Sequence, residues 1–465
     1  MQVQRNSSKR SAWMYWSAAA LLGVSTLANA SSQAFEGDLR ERLSRDGGEV
    51  TFSRVYEDAE QGTHVAEDIA AQRPDGTSVS IGRYTVEGDY DAPAAISLQD
   101  VVLNDPAIGE DGVTLETLRI VHPEHAVRFL SVLDEPDFRF DDIEATGFRM
   151  SVPNQSFGDG PFNVSAQNIV IDALRASGVT QQGVEQLNAH GIESHIILDS
   201  QSGSATELSI ETLGLQDFEW PSQHVDHMGN FEVGQMQLDS ELWHVGFDRL
   251  WLDGDPFDGA MGVYGGFADL RPWLEQLPAR EGEQLSMVYN AFVGERDQLH
   301  FSIEHHSSLG EGNKRVLDTA GNILIPGAGR VEYDLGARLQ LADGIEPNFV
   351  LDDNQYLDLA QINGGNASLT YDDEGLLPRI LQLLSDSLGI STEEALRLHR
   401  RDFMLIAEEA APGIDEILLA MLTLMQEDAE RMTIDMIFPK GILVSEWLMG
   451  PHYWNERYDI SVELE

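Results

Sequence analysis

The chain has no cysteine, only three lysines, and 29 basic side chains against 79 acidic ones among its 465 residues. The missing cysteines exclude a disulfide framework, thiolate chemistry and cysteine-held zinc, so stability has to come from a core of Leu, Ile, Val, Phe and Met. A chain of this length is able to bury such a core. The shortage of cations, with a formal net charge of −50, excludes binding to a phosphate backbone and opposes approach to an anionic membrane surface. An acidic, lysine-poor surface is that of a protein kept soluble in concentrated salt, where screening removes the self-repulsion. Also missing are a GxSxG elbow, a Walker A loop, a GxGxxG turn between strand and helix, and an HExxH frame. Beyond the N-terminal region no apolar run is long enough to span a bilayer.

What is present begins with an export signal. Arg5, Lys9 and Arg10 precede an apolar run from Trp13 to Leu27, and Ala28-Asn29-Ala30 follows it. Charged start, apolar middle and small-x-small end predict cleavage after Ala30, leaving a periplasmic or otherwise exported chain without a transmembrane helix. Phe35, Leu39 and Leu43 then recur every four residues before Gly47-Gly48, which predicts a short helix.

From Val50 onward short alternating apolar runs are broken by Gly, Asp, Asn and Pro, the pattern of strands and turns. One template recurs: apolar, any, apolar, any, any, apolar, any, apolar. It reads Val79/Ile81/Tyr84/Val86, Ile96/Leu98/Val101/Leu103, Val113/Leu115/Leu118/Ile120, Phe138/Phe140/Ile143/Ala145, Leu208/Ile210/Leu213/Leu215, Phe231/Val233/Met236/Leu238 and Val245/Phe247/Leu250/Leu252, with Phe162/Val164/Ile169/Ile171 as a looser match. Strand side chains alternate with period two, so the three-residue step in the middle moves the apolar set to the other face unless a bulge or bend restores the phase. The simplest container is a large curved antiparallel sheet, or groove, of bent strands.

Helices are expected at Pro123–Leu133, at Thr180–Ala189 and, as a pair around Pro278, at Asp269–Gly294. A late helical set starts with Glu374–Leu388 and continues behind Ser391 and Glu394, which have capping-box spacing. A third helix after Pro412 carries Ile414, Ile417, Leu418, Met421, Leu422 and Met425 on one face. Alternation returns at Met432/Ile434/Met436/Phe438 and at Tyr458/Ile460/Val462/Leu464. The reading is a mainly β protein with α insertions: signal 1–30, a β-rich body 31–372, a helical cluster 373–431 packed on it, and strands in 432–465 that complete the sheet.

Several residues invite a site reading. His224 and His227, His305 and His306 behind Glu304, and His122 and His125 around Pro123 are paired imidazoles, but none has a third ligand at diagnostic spacing. Asp253-Gly-Asp255-Pro-Phe-Asp258-Gly259 concentrates carboxylates as calcium loops do, yet lacks the order of an EF-hand, and a turn rich in Asp and Gly explains it as well. Asp352, Asp353 and Asp358 are a weaker instance. Trp220, Trp243 and Trp251 suit either core packing or a sugar or lipid platform. Paired carboxylates for glycoside hydrolysis have no signature among so many acids. No catalytic, cofactor-binding or metal residue is assigned.

The exported N-terminus, the short helix before Gly47-Gly48, units such as Val113-Thr-Leu-Glu-Thr-Leu-Arg-Ile120 and the helices starting at Asp373-Glu-Gly-Leu-Leu377 resemble those of proteobacterial envelope proteins of the AsmA-like, β-groove type. The resemblance implies a groove that takes a lipid or apolar ligand, or a partner protein, and carries over no site residue. The expected function is therefore a non-enzymatic exported envelope protein. The alternatives are a secreted hydrolase acting on polysaccharide or lipid, and a purely structural envelope protein.

Overall fold

The structure, a computed structural model, describes residues 32–44, 48–58, 60–105, 112–123, 125–127, 139–151, 164–180, 182–198, 205–219, 229–255, 258–310, 314–341, 360–409, 413–426, 429–445 and 459–465. The export signal, most of the helix expected at Pro123–Leu133, and Phe138, Phe162, His224, His227, Trp220, Asp352, Asp353, Asp358 and Tyr458 lie outside the described residues. The protein is mainly β, with 19 strands and six helices described. It divides into two compact units, Met1–Glu241 and Leu242–Glu465.

The first unit holds helix α1 (Ser32–Leu43) and eleven strands: β1 (Glu49–Thr51), β2 (Arg54–Asp58), β3 (Thr63–Gln72), β4 (Ser78–Gly88), β5 (Pro93–Asn104), β6 (Val113–Val121), β7 (Arg139–Ser151), β8 (Val164–Thr180), β9 (Gly183–Leu198), β10 (Ala205–Glu219) and β11 (Asn230–Ser240). From β3 each strand pairs antiparallel with the next, and β1 and β2 share the free edge of β3. The expected helix Thr180–Ala189 is instead the end of β8, a turn and the start of β9. The Thr180 hydroxyl accepts hydrogen bonds from the N–H groups of Gln182 and Gly183. That local bond competes with helix formation, and Leu187 and Ala189 then serve as strand positions facing the apolar side.

Strand pairing turns the sequence template into rows. Ala66, Tyr84, Leu98, Leu118, Ala145, Leu174, Ala189, Leu213 and Val233 stand opposite one another in turn across β3 to β11. A second row runs Val86, Ile96, Ile120, Ile143, Ala176, Leu187, Leu215 and Phe231. The template reads the same in both directions, so antiparallel neighbours match it position for position. This corrects two assignments: the in-register unit of β7 is Ile143/Ala145/Phe148/Met150, and that of β8 is Ile169/Ile171/Leu174/Ala176.

The three-residue step is where the phase is restored. Between the apolar rows the register places Asp68 opposite Gly82, then Asp100, Glu116, Gly147, Asp172, Gly191, Glu211 and Gln235, one per strand from β3 to β11. Every second member is left-handed: Asp68, Asp100, Gly147, Gly191 and Gln235 have φ of 50°, 53°, 64°, 62° and 49°. A residue of this conformation inside a strand turns the following side chains back to the face they would have left. Val101 accordingly packs in the same core as Leu98 across Asp100, and in β4, whose Gly82 is not left-handed, Tyr84 and Val86 also pack in the same core as Ile81. No register shift accompanies the row, so the strands kink together without an extra residue.

Helix α1 covers the first strands. Phe35 and Leu39 are fully buried against Ile69, Tyr84 and Ile96, each burial stabilising by roughly 1.5–3 kcal/mol. The Phe35 ring meets Tyr84 and Tyr90 edge-on at 5.6 and 5.9 Å. The two phenols donate to the Ala126 carbonyl and to Asp38 Oδ2 at 2.5 and 2.6 Å. Burial, reinforced for Tyr90 by Asp38, raises both phenol pKa values.

The second unit holds β12 (His244–Asp255), β13 (Asp258–Asp269), α2 (Arg271–Gln276), α3 (Ala279–Val293), β14 (Leu299–Leu309), β15 (Lys314–Ile325), β16 (Gly329–Leu341), β17 (Ala360–Asp373), α4 (Leu376–Leu388), α5 (Thr392–Glu409), α6 (Ile414–Met425), β18 (Arg431–Leu443) and β19 (Asp459–Leu464). Consecutive strands again pair antiparallel. In β12 and β13 the kink recurs, with Asp248 facing Gly265 at φ 63°. The pair α2 and α3 breaks before Pro278, where Leu277 is extended, as a residue before proline prefers. At α5 the Ser391 hydroxyl accepts from the Glu394 N–H at 3.2 Å, the expected cap. The stripe on α6 is divided: Ile414, Ile417 and Leu418 pack on Leu335, Met436 and Phe438, while Met421, Leu422 and Met425 pack on α4 and α5.

Candidate functional site

The two faces of the second unit's strands differ. On one, Asp253, Ala260, His306, Ala320, Asp334, Ser368 and Asp435 form a row across β12 to β18. Small residues between taller acids leave an open groove of about 480 Å³ whose lining includes Asp253, Asp258, His306, Asp318, Ala320 and Asp334. Two of the sequence candidates, the Asp-Gly hairpin and His306, therefore meet here. They do not converge on one point. Asp253 and Asp334 are four strands apart, about 19 Å, and among the described residues no group of three or more His, Asp or Glu side chains is placed to hold a metal ion. The Trp251 ring lies 6.4 Å from that of His306 and fills the space above Gly262, a packing role.

His122 and His125 part company. His122 lies 3.5 Å from Asp141 on the surface, whereas the ring of His125 packs edge-on against Tyr90 and its Nδ1 accepts from the Val127 N–H.

The opposite face is apolar. One row runs Leu250, Val263, Ile303, Ile323, Val331, Tyr371 and Met432, and the next runs Leu252, Met261, His305, Gly321, Tyr333, Leu369 and Ile434. Over β18, β19 and the parts of β16 and β17 around Leu335, Ala337, Ala367 and Tyr371, this face is covered by α4, α5 and α6. At the ends of β14 and β15, Leu299 and Ile325 pack against α2, α3 and α4. Between these covers Val263, Ile303, Ile323, Val331 and Tyr333 belong to no buried cluster among the described residues and are only half-buried. Met261 and Leu369 are 43% and 38% exposed. The result is an apolar trough over β13 to β17, about 19 Å across the strands, with helices bounding it.

The trough has one polar interruption. His305 Nδ1 and the Tyr333 hydroxyl are 2.6 Å apart, their rings stacked with centroids at 6.0 Å, and Thr319 Oγ1 is 3.4 Å from His305 Nε2. Partial burial, with the neighbouring His306, lowers the His305 pKa, and burial raises that of Tyr333. Both shifts favour the neutral forms. Sequence reasoning singled out His305 but missed Tyr333, Thr319 and Gly321. The available signal was the alternation Ile303/His305/Ser307/Leu309 and Val331/Tyr333/Leu335, which puts polar groups on the apolar side.

No protein-family model matches the chain, and no curated protein is significantly similar to it in sequence.

Proposed function

We propose that the protein is an exported envelope protein that binds a lipid or other apolar ligand on the uncovered face of its sheet, and that it works without catalysis. The observation that carries this reading is the trough: two rows of apolar side chains over β13 to β17 that, among the described residues, the unit's own helices border and leave only partly buried. Side chains of this kind are normally buried by a neighbouring layer, and an uncovered contiguous patch marks a binding surface. An apolar occupant would recover about 25 cal/mol for each Å² it removes from water. Export rests on the arrangement of Arg5, Lys9, Arg10, the run Trp13–Leu27 and Ala28-Asn29-Ala30.

Titration with Nile red, an uncharged apolar dye, tests the reading. Saturable fluorescence enhancement is expected, and Ile303→Asp, which places a carboxylate in the middle of the trough, is expected to weaken it about tenfold or more. Equal enhancement with both chains would place the dye elsewhere and contradict the reading.

A further inference from the structure

We propose that His305 and Tyr333 anchor the uncharged, hydrogen-bond-donating head of an amphiphile, such as a long-chain alcohol or monoacylglycerol, whose chain lies along the trough. The inference rests on the binding role argued above and names the ligand class.

The backbone geometry places the two groups there. His305, Gly321 and Tyr333 occupy one row on three successive strands. A side chain at the middle position would collide with the Tyr333 ring and hydroxyl. Glycine leaves the phenol free to cross β15 and meet the imidazole. The flanking members of the row, Met261 and Leu369, are apolar and exposed, so the polar group sits within an apolar track.

The hydrogen-bond inventory selects the head group. A phenol oxygen has one proton and two lone pairs, and an imidazole nitrogen takes up one of the three. Whichever partner donates across the 2.6 Å contact, at least one phenol lone pair remains. An incoming hydroxyl is therefore able to donate to Tyr333 in either tautomer. A carboxylate only accepts, and meets an unfavourable field besides. Glu304, Asp318, Glu332 and Asp334 stand on the opposite face of the same strands. Arg315, the cation on the trough side of β15, is six residues from Gly321, about 20 Å along the strand. Burial, with the neighbouring His306, lowers the His305 pKa and so works against a compensating positive charge there.

The test uses the whole protein as purified from its host, with Nile red displaced by dodecanol, by its methyl ether, which lacks the donor, or by dodecanoate. Wild type is expected to bind the alcohol about tenfold more tightly than the ether. Tyr333→Phe and His305→Leu are expected to lose that preference, the alcohol then binding no more tightly than the ether in either variant. Retention of dye binding with no preference for the alcohol, an unchanged preference in both variants, or tightest binding of dodecanoate would overturn the anchor and leave the apolar reading standing. If neither dye nor amphiphile binds, both fall.

Discussion

Gly191 of β9 is left-handed directly across from Asp172 of β8, and the Asp172 carboxylate fills the space that a side chain on the glycine would need. Gly147 stands in the same relation to Glu116. At Gly147 and Gly191 the kink row thus sets a left-handed glycine beside an acid that folds over it, and the kink lets one apolar face continue through a sequence whose period breaks.

Gly191→Ala is expected to destabilise the first unit by ~1–2 kcal/mol from the left-handed backbone alone, with more from the clash. Combining it with Asp172→Ala relieves the clash and leaves the backbone cost. Urea midpoints of the two single variants and the double variant measure both parts. Additive losses would show that the pair is not in contact.

Tyr84, Tyr90 and Tyr371 all have pKa values raised by burial, with Asp38 and Asp373 adding to the shift of the latter two. In the unfolded chain a tyrosine ionises near pH 10. Above that pH the unfolded state loses protons that the folded state keeps, so stability falls as pH rises. Phenolate absorbance of these three is expected to appear together with loss of the β-sheet circular dichroism signal. Ionisation of all tyrosines before any unfolding would contradict their burial.

The acids of the kink row that face solvent, Asp68, Asp100, Glu116, Asp172 and Glu211, repeat across the first unit with few cations between them. Raising salt from ~0.01 M to ~1 M shortens the screening length from about 30 Å to about 3 Å. The urea midpoint is expected to rise with sodium chloride. A falling midpoint would mean that ion pairs such as Arg54–Glu67 and Arg119–Glu87 outweigh the repulsion.

The strands and the late helices were legible because their signals are local. Phe35, Leu39 and Leu43 report a helix by spacing, and Ser391 reports its cap. The template even located the phase correction, since Gly82, Asp100, Glu116, Glu211, Gln235 and Asp248 all fall inside its three-residue step. Register was not legible. The match at Phe138 has the right pattern in the wrong frame, because Ile143 and Ala145 belong to two overlapping frames and only pairing with β6 and β8 selects one. The trough was hidden for a related reason: His305 and Tyr333 are 28 residues apart, and which apolar face stays uncovered depends on where α4 to α6 pack.

Native mass spectrometry of the protein purified from its host, with organic extraction of the same sample, tests the central proposal that the trough carries an apolar ligand. The expected result is a stoichiometric adduct that extracts as an uncharged amphiphile and is lost with Ile303→Asp. A mass equal to that of the bare chain, with nothing in the extract, would contradict the claim.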